Sequence, residues 1–371
     1  FTLFVGRLLP TLVFVLISIL YSRKLSFYDY GTFQSLWMYI NISSVIFSFG
    51  LPTAILTINE SIINSLFKKN KKKVIGTWGV IFFSINAFLY ANKQINLNVK
   101  LLCSILILLQ AAISIKEAFL IKRGNEISIF SVNLCYAIVF FIWHYFLLIN
   151  GYKVSILLAG LIVLQLLRIV VLQFINAKSV YTEQEFSEHT ILRYIQHIGI
   201  NDTLNTFSKW LDKLILVYFI TPQEFAIFFN GTYEIPLIGL IVSAGGSIFT
   251  VKMAENVNNS NTLASLFLNG FRLLSNIVFP IFFLFLFFSP DIFEVLFSKR
   301  YNDSITIFLI SITVLPLRIN SYTTILQAKH KSRIIIIGSI IDILLAAFLM
   351  IIFYQMWGLH GVALAIVIST Y

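Results

Sequence analysis

The stretch ISIFSVNLCYAIVFFIWHYFLLI, residues 127–149, runs without an Asp, Glu, Lys or Arg. A helix needs about 20 predominantly apolar residues to cross a hydrocarbon core about 30 Å thick, and this run supplies them. Comparable runs recur at 3–21, 31–58, 74–91, 99–121, 153–175, 193–219, 225–250, 263–289, 303–326, 334–354 and from 359 to the end. So many of them have no place in a soluble core. The expected fold class is therefore all-α integral membrane, with eleven complete transmembrane helices and the start of a twelfth. Composition agrees: 58% of the 371 residues are hydrophobic and 12% charged, against about 45–50% and about 25% in a soluble domain. The mean hydropathy is +0.88.

Lysine and arginine concentrate in alternate loops, which sets topology because such residues favour the cytoplasmic side. Lys68, Lys69, Lys71, Lys72 and Lys73 crowd the second loop, Lys122 and Arg123 the fourth, and Lys329, Lys331 and Arg333 the tenth. Arg23 with Lys24 and Lys299 with Arg300 vote the other way and are outnumbered. The expectation is a multi-pass protein of the cytoplasmic (inner) membrane with a cytoplasmic amino terminus. The net charge of +11 is accounted for by these loops. No basic, aromatic-interleaved domain lies outside the spans, so nucleic acid is not an expected partner.

The longest polar stretch, 176–192, reads as a cytoplasmic linker between an N-terminal six-helix lobe at 1–175 and a C-terminal lobe at 193–371. The halves resemble each other. LSFYDYGTF (25–33) aligns with ITPQEFAIF (220–228), pairing Ser26 with Thr221 and Asp29 with Glu224; Gly50 then falls on Gly245, Lys122 on Lys329 and Gly151 on Gly358. Six helices return a chain to its starting side, so the repeats are parallel, an arrangement that commonly places a substrate site at the repeat interface. The chain begins at Phe1 and stops at Tyr371 inside an apolar run, which reads as a fragment and leaves the full count at twelve or fourteen spans.

Charges inside the spans point to function. In the seventh span Asp202, Asn205, Thr206, Lys209, Asp212 and Lys213 share one helical face. Each charge at mid-bilayer costs about 2.5–3.5 kcal/mol on insertion scales, so this face should meet water or protein rather than lipid. Mutual neutralisation of Lys209, Asp212 and Lys213 along the helix is the alternative. Arg7, Arg168, Glu234, Arg272, Arg318 and Asp342 are also embedded. Arg168, Arg272 and Arg318 lie close enough to span ends to snorkel, as do Lys116 and Glu117. The surplus of cations suits an anionic, phosphate-bearing ligand. Arg7, Lys209, Lys213, Arg272 and Asn205 are the candidates to hold such a phosphate or pyrophosphate. Asp202, Asp212, Glu234 and Asp342 serve either ion coupling to a proton or sodium gradient or charge balance.

Pro10, Pro52, Pro236, Pro280 and Pro316, with Gly50 and Gly245–Gly246, lie where they can bend helices. No phosphate-cradling GxxxxGKS loop occurs and the five histidines lack metal-ligand spacing, so neither a cofactor nor a metal is expected. His144 reads as interfacial, and Cys103 and Cys135 as packing residues.

GRLLPTLVFVLISILYSRKLSFYDYGTFQ (6–34), FSFGLPTAI (47–55), DKLILVYFITPQEFAIF (212–228), LFSKRYNDS (296–304) and GLHGVALAIVIS (358–369) resemble the bacterial polysaccharide transporter family. That family includes the O-antigen flippases and belongs to the multidrug/oligosaccharidyl-lipid/polysaccharide exporter superfamily. The resemblance implies two six-helix lobes in a V around a central cationic cavity. It also implies a non-enzymatic flippase moving undecaprenyl-pyrophosphate-linked oligosaccharide across the membrane, with membrane lipids, a polysaccharide polymerase and a chain-length regulator as partners. Arg7 resembles the family's basic position in the first helix; Lys209 and Lys213 fall where members carry charge, and Asp212 opens a DKLIL stretch of the family's type. A cation-coupled multidrug exporter and a membrane-embedded polymerase or acyltransferase are the alternatives.

Overall fold

A computed structural model describes residues 2–58, 60–69, 71–91, 96–175, 188–233, 238–239, 249, 252–253, 256, 259–319, 325–326 and 332–371. Among these, every regular element is helical. The chain forms two compact units, Phe1–Trp210 and Leu211–Tyr371.

The first unit begins with α1 (Thr2–Lys24) and α2 (Phe27–Ser48). Phe49 and Gly50 adopt positive φ, of 40° and 69°, and end α2. Pro52 then starts the short α3 (Leu51–Thr57), bent by 47° from α2. The single span expected at 31–58 is thus a broken one, because proline suits the first helical turn and cannot continue the previous helix. A strongly amphipathic α4 (Glu60–Lys69) follows, then α5 (Lys71–Ala91), α6 (Leu97–Lys122), α7 (Glu126–Ile149) and α8 (Val154–Phe174). The helix α9 (Glu188–Leu216) starts in this unit and ends in the second.

Packing in the first unit pairs α1 with α7, α6 with α2, α3 and α8, and α7 with α8. Leu51, Ala54 and Ile55 of α3, Ile63 of α4, Ala118 of α6 and Ile191 of α9 form one buried cluster. Gly50 and Gly199 explain why the start of α9 joins this unit: a Cβ on Gly50 would lie 2.5 Å from the Gly199 nitrogen. Two backbones touch there without side chains between them. The boundary between units therefore falls inside α9, while 176–187 of the expected linker lie outside the described residues.

The second unit holds α10 (Pro222–Gly231), α11 (Ser260–Phe297), α12 (Asn302–Ile312) and α13 (Ser332–Thr370). Helix α11 runs through Pro280 and Pro290 without ending, which the membrane interior tolerates when neighbours satisfy the freed carbonyls. Gly358 breaks α13 at φ 58°, ψ −137°. The chain turns back there, since a Cβ on Gly361 would sit 2.0 Å from the Phe353 carbonyl oxygen. The two arms are the expected eleventh span and the start of the twelfth. Ala346 and Met350 on one arm meet Val362, Ala363 and Ala365 on the other, with Leu216, Phe228 and Ile307. Small residues at such seams let helices approach where lipid supplies no hydrophobic drive.

Five described helices are long and apolar enough to cross a membrane, and α2 with α3 makes a sixth if the bent pair is one span. Their outer faces are greasy: Leu101, Ile105 and Leu108 on α6, Ile138, Ile142 and Ile149 on α7, and Val163, Leu167, Val170 and Phe174 on α8 are all exposed. Exposed apolar stripes on several helices fit a lipid solvent. The protein is a multi-pass membrane protein.

Candidate functional site: the embedded charges

Helix α9 carries the polar face expected from sequence, and its members have different surroundings. Asn205 and Lys209 are exposed, Asp202 is half-buried, and Asp212 and Lys213 are buried. Thr53 of α3 donates to Asp202 Oδ2 at 3.1 Å, and Tyr194 donates to Thr57 at 3.2 Å. The start of α9 is therefore fastened to α3 by a carboxylate, a phenol and the Gly50–Gly199 contact. Asp212 and Lys213 bridge each other at 2.9 Å. The ammonium also lies 6.0 Å and 5.9 Å from the ring centres of Phe228 and Phe229 on α10, within reach of the cation–π attraction. Mutual neutralisation, left open on the sequence, describes this adjacent pair.

Arg272 is exposed on α11. Asp342 is half-buried on the first arm of α13. Arg7 lies in α1, but its side chain lies outside the described residues, as do Glu234 and the side chain of Arg318. The structure thus joins Asp212 with Lys213 among the expected site residues.

Two further clusters were not expected. Arg168 of α8, read as a snorkelling residue, donates to Glu117 of α6 at 2.7 Å and to Asn133 of α7 at 2.8 Å. Its guanidinium lies 4.7 Å from the Tyr136 ring centre. Glu117 is correspondingly interior, with a side chain 12% exposed. The snorkelling reading fails for both because each meets an opposite charge before it meets a membrane surface. Nearby, Lys122 donates to the carbonyls of Ile55 and Ile58 at the end of α3, and Arg123 forms a two-point pair with Glu60. The Glu60 carboxylate holds the Arg123 guanidinium above its usual range, against a smaller opposing effect of burial.

The second cluster is Tyr21 of α1 with His144 of α7, hydrogen-bonded through Nδ1. Both are fully buried, so His144 is not interfacial as expected. One sequence signal was available: Asn133, Tyr136, Phe140 and His144 recur at steps of three, four and four, one face of a helix. The cysteines divide, Cys103 buried and Cys135 exposed.

Against solved structures, the chain matches an inward-facing multidrug resistance MATE family transporter of the MOP superfamily with a TM-score of 0.67 at 14% identity, covering 99% of this chain and 94% of that one. It also matches a MOP superfamily transporter from Pyrococcus furiosus whose binding pocket is described as having reversed polarity, at 0.66 and 15%, covering 100% and 90%. The lipid II flippase MurJ, in an inward closed conformation, matches at 0.65 and 15%, covering 98% and 84%. No curated protein matches the chain. The fold is thus that of MOP-superfamily transporters. Residues 20–306 match the family described as Polysaccharide biosynthesis protein, and with most of its length inside that match the chain belongs to this family.

Proposed function

We propose that this protein is a flippase that moves undecaprenyl-pyrophosphate-linked oligosaccharide across the cytoplasmic membrane by alternating access, for surface polysaccharide such as O-antigen, capsule or exopolysaccharide. The observation that carries the reading is the family match over residues 20–306, on a chain whose apolar helices retain more cations than acids. The similarity in fold to the flippase MurJ supports it. No covalent step is required, so the chain does not act as an enzyme.

In this proposal Arg7, Asn205, Lys209 and Arg272 receive the pyrophosphate and the first sugars, because guanidinium and ammonium groups in a low-dielectric setting bind phosphate oxygens strongly. Lys213 joins them when the phosphate displaces Asp212 as its counter-ion. The prenyl chain remains in lipid while the glycan crosses in water. An ion gradient, or removal of product outside, drives the cycle. The lysine-rich second, fourth and tenth loops support a cytoplasmic amino terminus, and in this reading a polysaccharide polymerase with its chain-length regulator takes the product.

The test is reconstitution in vesicles with a defined lipid-pyrophosphate oligosaccharide, scoring the glycan that becomes accessible on the far leaflet. Transfer by the intact protein and its loss in the Lys209→Ala, Lys213→Ala double variant is the expected result. Transport of organic cations without any lipid transfer would establish the multidrug reading instead.

A further inference from the structure

His144 is an expensive residue for its position. It is fully buried in α7, its ring centre lies 4.6 Å from that of Phe140, and Tyr21, whose hydroxyl bonds Nδ1, itself stands edge-on to Phe33 at 4.7 Å. Its second nitrogen, Nε2, has no hydrogen-bond partner among the described residues. In a neutral imidazole one nitrogen donates and the other accepts. Whichever way the bond to Tyr21 runs, Nε2 keeps a hydrogen or a lone pair that nothing uses. A phenylalanine would fill the same aromatic surroundings without that penalty, and the chain uses 37 of them. An ionisable side chain kept inside a span at such a cost marks function by default.

The hydroxyl groups nearest this imidazole come from α1 and from α7 itself. Helix α1 contributes Tyr21, and one turn earlier Ser18, which accepts from Gln34 of α2 at 2.9 Å. Helix α7 contributes Tyr136, two turns away. The charged groups on α7 and the helices packed against it are Glu126 of α7, Arg7, Arg23 and Lys24 of α1, Lys100, Lys116, Glu117 and Lys122 of α6, and Arg168 of α8. Arg168 and Glu117 pair with each other at the level of Asn133, about 16 Å from His144 along the helix axis, while Arg23 and Lys24 stand within a turn of Tyr21 at the end of α1.

We propose that Tyr21 and His144 form a proton-binding site within the first unit, through which a proton gradient drives the transport cycle; this rests on the transport reading above. Uptake of one proton turns both ring nitrogens into donors. Nδ1 then donates to the Tyr21 oxygen, and Nε2 requires an acceptor that the present packing of α1 on α7 does not supply. The protonated state consequently favours a different α1–α7 arrangement, and release of the proton to the other side restores this one. The proton is taken up and given back unchanged, and no bond other than the N–H forms or breaks.

The experiment uses the full chain in vesicles with a lipid-pyrophosphate oligosaccharide, with internal and external pH set independently. The native protein is expected to change its initial transfer rate several-fold when a gradient of one pH unit is imposed. His144→Phe is expected to retain transfer down the substrate's own gradient and to lose the pH response. Tyr21→Phe keeps the ring and removes the partner oxygen, so it decides the matter if His144→Phe fails to fold; its pH response must be reduced or displaced. A native-like pH response in the variant that folds would overturn the proposal, as would a native rate set by sodium and indifferent to pH. Absence of transfer by the native protein under every gradient brings down the transport reading itself, a distinct result.

Discussion

The two halves of the chain open and close alike and differ in between. Ser26 caps α2 and is bonded to Asp29; Thr221 caps α10 and forms a reciprocal box with Glu224. Gly151 turns the chain between α7 and α8 at φ 68°, and Gly358 turns it between the arms of α13 at φ 58°. These are three pairs of positions from the internal alignment: Ser26 with Thr221, Asp29 with Glu224 and Gly151 with Gly358. The interiors do not correspond. In the first unit Arg168 binds side chains from two other helices, and Lys122 and Arg123 fasten α6 to α3 and α4. In the second, Lys213 bridges its own sequence neighbour and rests on phenylalanines. What the two halves share is the set of backbone devices that start helices and reverse the chain; the settings of their embedded charges differ.

The sharpest break in the symmetry is the second hairpin. A methyl on Gly361 would overlap the Phe353 carbonyl, whereas a methyl on Gly151 or Gly358 meets nothing within 4 Å. Gly361→Ala is expected to prevent accumulation of folded protein, read as loss of the monodisperse peak after detergent extraction. A well-folded Gly361→Ala protein would mean that the arms do not touch along their backbones.

Arg168→Leu comes next. It strands the Glu117 carboxylate in the interior, a cost of about 3–5 kcal/mol, seen as a lower unfolding temperature in detergent. Adding Glu117→Leu should restore most of that loss, because apolar replacement of a whole buried pair is often neutral. The corresponding double change of Asp212 and Lys213 to leucine should also spare stability, but it should abolish lipid transfer if Lys213 serves the substrate. Loss of transfer in both double variants, or in neither, would erase the contrast between the halves.

Gly151→Ala and Gly358→Ala test the symmetry where it holds. With room for the methyl at both sites, each change should destabilise through its positive φ, and Gly358→Ala the more, because φ 58°, ψ −137° lies outside the left-handed well and is open essentially only to glycine. Equal costs would show that the two turns constrain a side chain alike.

Sequence periodicity read the apolar helices closely: 99–121, 127–149 and 153–175 became α6, α7 and α8 within two residues at either end. Hydropathy sees these because every turn of them is apolar. It missed α4, whose charges made 60–69 look like a loop although Ile63 and Phe67 pack inward. It also ran 303–326 together where α12 gives way at Ile312 to a tight turn of helix around Pro316. The site was less legible than the fold. Distance from a span end is visible in one sequence, and it suggested snorkelling for Arg168. Its carboxylate partner lies 51 positions away, and no local rule connects them. His144 failed for the same reason, since Tyr21 is 123 positions distant.

The smallest expected effect concerns the two caps. Replacing a hydroxyl N-cap by alanine typically costs about 1 kcal/mol. At Ser26 the cap accepts from the Asp29 nitrogen at 3.0 Å. At Thr221 the same bond, 3.3 Å from the Glu224 nitrogen, is joined by a return bond of 2.9 Å from the Thr221 nitrogen to Glu224 Oε2. Thr221→Ala leaves that return bond in place, because it uses the backbone nitrogen. Ser26→Ala has no such reserve. The first half should therefore lose more than the second, by a few tenths of a kcal/mol, and Glu224→Ala added to Thr221→Ala should remove the difference. Equal losses from the single variants would show that the return bond contributes nothing and that the two caps are one device after all.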